Sequence, residues 1–200
     1  MQQSIQDPKE LFHGIWNDEK EAFNTLFRLY YSNLTRFARQ FVGDRGEAEE
    51  VVSDVFVWIW NNRTELLLVN NPEVYLFIMT KNRCLNVLRR TNMEQAYNEK
   101  DGYESHADDS TPLTDIERQE LTQKLHFIIG QLPEQQQQIF RMIKENGLSA
   151  KQTAEILQLS PRTVETHIYK AVKRLEEEIT SYLGYSPRRK RMKLMLATLV

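Results

Sequence analysis

Between Thr91 and Thr111 the chain carries only five apolar side chains, Met93, Ala96, Tyr97, Tyr103 and Ala107, read as lacking helical spacing. Residues 91–115 also hold Glu94, Glu99, Asp101, Glu104, Asp108, Asp109 and Asp115 against Lys100, a net charge of −6. Such a stretch cannot bury enough surface to offset the entropy lost on ordering. It divides the 200-residue chain into parts that must each build a core from their own side chains. The expected organisation is a helical domain over 1–92, a flexible acidic linker over 93–113, a second helical domain over 114–184, and a tail over 185–200.

The two parts are expected to be all-α. Seven glycines and six prolines in 200 residues are about half the usual share, so turns are few. No convincing strand run occurs. No uninterrupted apolar stretch is long enough for a spanning helix. The polar start, Met1 to Pro8, lacks the apolar core of a signal peptide. A single cysteine, Cys84, excludes an internal disulfide framework. The expectation is a soluble, cytoplasmic protein.

Capping chemistry marks several helix starts. Asp44-Arg45-Gly46-Glu47, Thr114-Asp115-Ile116-Glu117 and Ser149-Ala150-Lys151-Gln152 each place Glu or Gln three residues after a small oxygen-bearing residue. That spacing satisfies orphan N–H groups from both sides. Asn71-Pro72 and Ser160-Pro161 put proline at the first helical position, where its missing N–H costs little. Apolar spacing then predicts helices at about 19–42, 46–62, 73–90, 115–130, 134–145, 149–157 and 161–182.

The most specific stretch runs from Ser149 to Leu175. A short helix over Ala150 to Leu157 is followed by Gln158-Leu159-Ser160 and a second helix from Pro161. Ala154 is small where two helices would cross. Val164, Ile168, Ala171, Val172 and Leu175 make one apolar stripe. The opposite face carries Arg162, Thr163, Thr166, Lys170 and Lys173, with His167 and Arg174 on its flank and Ser160 at its start. This is a helix-turn-helix whose second helix suits base edges and phosphates in a major groove. The competing reading is an αα-hairpin with a solvated face. Gln158 stands where such turns usually have glycine at positive φ, a cost of about 1 kcal/mol.

Tyr75 to Arg90 holds Lys81, Arg83, Arg89 and Arg90 and no acid. On a helix Tyr75, Met79, Asn82, Arg83, Asn86, Arg89 and Arg90 share one side, while Leu76, Phe77, Cys84, Leu85, Val87 and Leu88 cover the rest. A ring among amides and guanidiniums can hold a single nucleic-acid strand by stacking, edge reading and phosphate contact. A solvated amphipathic face has the same pattern. Cys84 reads as a core thiol.

The helix expected at 46–62 buries Ala48, Val51, Val52, Val55, Phe56 and Ile59. Its other side shows Glu47, Glu50, Ser53, Asp54 and Val57, with Trp60 at the border. Acids in the first turn suit the helix dipole, and that alone describes a solvated face. Val57 and Trp60 beside them point to docking of a basic partner.

Signals of an enzyme are lacking. His13, His106, His126 and His167 are scattered, and no Cys or carboxylate stands at metal-ligand spacing. No Gly-rich phosphate loop and no nucleophile elbow occur. The expectation is a non-enzyme with no metal, cofactor or small-molecule substrate.

From about Phe23 to Leu183 the order of segments resembles an extracytoplasmic-function sigma factor of bacterial RNA polymerase. FNTLFRLYYSNLTRFARQFVGD is similar to the start of that family's N-terminal domain, and EAEEVVSDVFVWIWNNR to its polymerase-binding helix. VYLFIMTKNRCLNVLRR is similar to the helix that recognises and melts the −10 element. QLPEQQQQIFRMIKENGLSAKQTAEILQLSPRTVETHIYKAVKRLEEEI is similar to the domain that reads the −35 element. The resemblance implies a transcription initiation factor that binds the polymerase core, through the β′ coiled coil and the β subunit, and promoter DNA. Glu47, Glu50, Ser53, Asp54, Val57 and Trp60 would meet the core. Tyr75, Asn82, Arg83, Asn86, Arg89 and Arg90 would meet the −10 region, with Asn86 where the family commonly has Asp. Ser160, Arg162, Thr163, Thr166, His167, Lys170, Lys173 and Arg174 would meet the −35 element. Arg63 to Asn71 matches a loop that pockets a flipped −10 base. An anti-sigma factor is a further implied partner.

LSPRTVETHI also resembles the output domain of DNA-binding response regulators. Those need a receiver domain of alternating strands and helices, which residues 1–90 lack. The tail Ser186 to Val200 joins Arg188, Arg189, Lys190, Arg191 and Lys193 to an apolar end. A disordered tail, added phosphate contact and packing of the apolar end are competing readings, and the favoured one is a mixture in which the arginines help DNA binding and the apolar end packs.

Overall fold

A computed structural model describes residues 7–97 and 116–183. These fall into two compact units divided between Ser105 and His106. The former linker stretch beyond residue 97, the Thr114 cap and the tail 185–200 lie outside the described residues. Among the described residues no strand occurs, and no helix is long and apolar enough to cross a membrane.

The first unit opens with a helix that sequence spacing did not predict, α1 (Pro8–Trp16). Asp7 caps it by accepting from the Lys9 N–H at 3.0 Å, and Pro8 fills the first turn. Leu11, Phe12 and Ile15 are buried beneath it. Then come α2 (Lys20–Val42), α3 (Arg45–Asn61), a 3-10 segment (Arg63–Leu68) and α4 (Pro72–Tyr97). Gly14 allows the close crossing of α1 and α2: a Cβ there would lie 2.7 Å from Ala22 Cβ. Phe37 of α2 sits at the centre, edge-on to Phe77 of α4 at 5.0 Å. Val52, Val55 and Ile59 of α3 close the core, and all six α3 residues expected inside are buried.

Two boundaries differ from expectation. The stretch from Arg63, expected as a loop, forms a 3-10 turn anchored by buried Leu66. Helix α4 runs on to Tyr97 instead of ending at Arg90, five residues into the segment assigned to the linker. Met93, Ala96 and Tyr97 in fact stand at i, i+3 and i+4, a helical register too short to register as a stripe.

Asp44 caps α3, accepting from the Glu47 N–H at 2.9 Å. That bond holds the Asp44 carboxyl below its ordinary 3.8. A carboxyl with a lowered folded pKa stabilises the fold above the ordinary value, and loses that stabilisation as pH falls through the folded value. Asp44→Asn keeps a capping oxygen without the titration. Thermal unfolding across the acid range should therefore show a flatter pH dependence for Asp44→Asn than for the parent. An unchanged slope assigns the acid limb to other carboxyls.

The second unit comprises α5 (Ile116–Gly130), α6 (Glu134–Lys144), α7 (Ala150–Leu157) and α8 (Pro161–Leu183). Helix α8 is its axis. Ala171, Leu175 and Ile179 pack with Leu125, Ile128, Ile129, Leu132 and Phe140. Val164 packs with Ile139 and Ala154, so the small residue does lie where α7 meets α8. Gly147, at φ +72, supplies the left-handed turn after α6. Ser149 and Gln152 form the reciprocal box at the start of α7: Gln152 N–H donates to Ser149 Oγ at 3.2 Å, and Ser149 N–H to Gln152 Oε1 at 2.9 Å. Ser149→Ala should lower the stability of this unit by about 1 kcal/mol in urea unfolding. An unchanged midpoint would mean that water replaces the cap at no cost.

Candidate nucleic-acid and protein interfaces

The turn between α7 and α8 has the geometry of a helix-turn-helix. Gln158 adopts the left-handed conformation, φ 58° and ψ 40°. Leu159 N–H returns to the Ala154 carbonyl at 2.9 Å, closing the end of α7. Ser160 Oγ accepts from the Thr163 N–H at 3.0 Å, and the two hydroxyls bond each other at 2.7 Å. Both hydroxyls are thus engaged in starting α8, and Thr163 is half-buried.

On α8, Val164, Ala171 and Leu175 are fully buried, with Ile168 and Val172 half-buried beside them. Arg162, Thr166, Lys170, Lys173 and Arg174 are exposed on the other side. Thr166 donates its hydroxyl to the Arg162 carbonyl at 2.8 Å. Lys173 lies 3.8 Å from Glu177, an exposed i,i+4 pair of small energetic weight. His167 is half-buried, and its Nδ1 is buried without a hydrogen-bond partner. Tyr169 was missed by sequence reasoning. It is 68% exposed and stands seven residues after Arg162, two helical turns along the same face. That i+7 spacing is the signal in the sequence, and a neutral ring adds no charge to mark it.

Asn82, Asn86, Arg89 and Arg90 of α4 are exposed along one side. Tyr75 is less free than expected. It is half-buried, with Phe12 edge-on at 6.3 Å and Trp58 tilted at 6.3 Å. Burial, followed by the nearby Glu65 charge, raises its hydroxyl above the usual tyrosine value. Leu85 is 37% exposed, although the helical wheel assigned it to the covered side. It stands one turn before Arg89. Cys84 is buried, with Sγ 3.8 Å from the Ala38 carbonyl and the thiol pushed up to about 12 by burial. It is an unreactive core group.

On α3, Glu47, Glu50, Ser53, Asp54 and Val57 are exposed, Val57 at 57%. Trp60 is half-buried instead: Phe23 meets it at 5.2 Å and the Arg63 guanidinium lies 5.2 Å from its ring centre. Arg63 also donates to the Trp60 carbonyl at 3.0 Å and pairs with Asp18, tying the 3-10 segment to the turn before α2. Leu67 and Leu68 on that segment are 50% and 83% exposed. The α3 and α4 faces are joined by an ion pair in which Arg83 Nη1 donates to Asp54 Oδ2 at 3.2 Å. Among the described residues no cluster of His, Cys, Asp or Glu could hold a metal ion.

The family model described as Sigma-70 region 2 matches residues 26–93, which span most of α2, then α3, the 3-10 segment and most of α4. That described as Sigma-70, region 4 matches residues 122–175, ending within α8. No curated protein matches the chain significantly. Among solved structures, the chain is similar to the sigma factor RpoE in complex with the anti-sigma factor NepR from Bartonella quintana. The identity is 20% over 79% of this chain and 96% of that one, with a TM-score of 0.63. It is also similar to CnrH in complex with the cytosolic domain of CnrY, at 20% identity over 88% and 99% of the two chains and a TM-score of 0.56. At that identity the likeness is one of fold. The two matched regions follow one another along the chain and together take in more than half of it, and the chain belongs to the sigma-70 family of transcription initiation factors.

Proposed function

We propose that this sigma factor is of the extracytoplasmic-function type and divides its work among three faces. The exposed side of α3, with Glu47, Glu50, Asp54 and Val57, docks on the β′ coiled coil of the polymerase core. The α4 side holds the −10 strand, with Asn82 and Asn86 at base edges and Arg89 and Arg90 at phosphates. Helix α8 enters the major groove of the −35 element with Arg162, Thr166, Tyr169, Lys170 and Lys173. The chain supplies binding energy and sequence choice, the polymerase supplies the chemistry, and both work in the cytoplasm.

The observation that carries this reading is α8 itself. Its first turn contains no acid, its inner stripe is buried, and its outer face concentrates cations and hydroxyls beyond a capped turn. Of the two similar structures, one is a complex with the anti-sigma factor NepR and the other a complex with the cytosolic domain of CnrY. That supports an anti-sigma partner for this chain as well.

The test is transcription by bare core polymerase from a library of randomised promoters, with and without the protein. Initiation that depends on the protein, at sites sharing two spaced elements, is the expected result. Core enzyme that starts equally in both reactions overturns the reading.

A further inference from the structure

The ion pair between Asp54 and Arg83 joins two surfaces assigned to different partners. Asp54 belongs to the acidic face of α3, and Arg83 to the basic side of α4, 29 residues along the chain. We propose that this pair couples polymerase docking to contact with the promoter strand. In the free protein Arg83 spends part of its charge on Asp54. A cation of the polymerase that takes the Asp54 carboxylate releases the guanidinium toward a strand phosphate. The coupling rests on the roles of α3 and α4 given above.

The geometry suits an exchangeable contact. The N···O distance is 3.2 Å, and a well-made charge-assisted bond is nearer 2.8 Å. The Asp54 side chain is 62% exposed, so an incoming cation can reach it. The Arg83 side chain is 30% exposed, so most of it is packed, and its release needs only a turn of the guanidinium. A guanidinium has five N–H donors, so it can begin a phosphate contact before it leaves the carboxylate. By linkage, whatever core docking adds to strand affinity, the strand adds to core affinity.

The test uses the full chain and a fluorescein-labelled single strand bearing the −10 sequence recovered by promoter selection. Asp54→Asn removes the competitor for Arg83, so at low salt it should tighten strand binding by roughly two- to fivefold, the range open to an exposed pair. Glu50→Gln removes the same charge from the same face and should shift binding less. In an Arg83→Gln background, Asp54→Asn should have no effect, since the cycle isolates the pair. Equal gains from Asp54→Asn with and without Arg83 overturn the coupling, as does no gain at all. If Arg83→Gln and Arg89→Ala weaken strand binding while Asp54→Asn fails to tighten it, α4 keeps its role and only the coupling falls. If neither arginine substitution weakens strand binding, the role of α4 falls and the coupling with it.

Discussion

Asp54→Arg should weaken binding to core polymerase on the order of a hundredfold while leaving the affinity for duplex −35 DNA unchanged. The carboxylate is exposed in the middle of the α3 face, with Glu50 one turn before it and Val57 one turn after. Placing a cation there sets like charges against a basic partner, and such juxtapositions cost several kcal/mol. The substitution also puts a second cation where Arg83 now donates. That repulsion is solvent-exposed, so its cost to the fold is small. Native-gel or fluorescence titration with core enzyme reads the first effect, and a −35 duplex titration reads the second. Parent-like core binding would move the docking surface off α3.

Arg162→Ala should cost about 1–3 kcal/mol in −35 binding if the guanidinium makes a bidentate base contact. Its position argues that it is there for a ligand. Arg162 is the second residue of α8, in the turn where the helix dipole disfavours a cation. Alanine is the better helix former there. The variant should therefore melt no earlier than the parent while binding DNA more weakly, which separates a contact from a packing role. Undiminished affinity with an intact fold would remove Arg162 from the interface.

Much of this was legible in sequence because helices announce themselves locally. Asp44, Ser149 and Ser160 act as caps, and their signatures span only three residues each. The inner stripe of α8 needed a single period. Even the odd feature at Gln158 was readable, since a helix-turn-helix demands a left-handed residue there and the chain supplies one at φ 58°. Helix α1 escaped because nine residues give too few turns for a periodic stripe, although Asp7-Pro8 and Leu11, Phe12 and Ile15 were the right signs. The 3-10 segment escaped because three consecutive leucines have no period to read.

The exposure of the candidate faces was legible in their charges, and their packing less so. A helical wheel assigns faces but not the depth of neighbours. It could not show that Tyr75 is flanked by Phe12 and Trp58, that Trp60 lies under Arg63, or that Leu85 stands clear. Nor could it pair Asp54 with Arg83, because that contact depends on how α3 and α4 cross.

The Thr166 hydroxyl has one proton, and the bond to the Arg162 carbonyl uses it. What remains exposed is a pair of acceptor sites and a methyl group. While that bond holds, Thr166 can take a hydrogen bond from the amino group of adenine or cytosine, or lie against the methyl of thymine. It has no proton left for the N7 and O6 acceptors of guanine, so, with α8 in the major groove as proposed, guanine opposite this residue is expected to be disfavoured by a bond made within the helix itself.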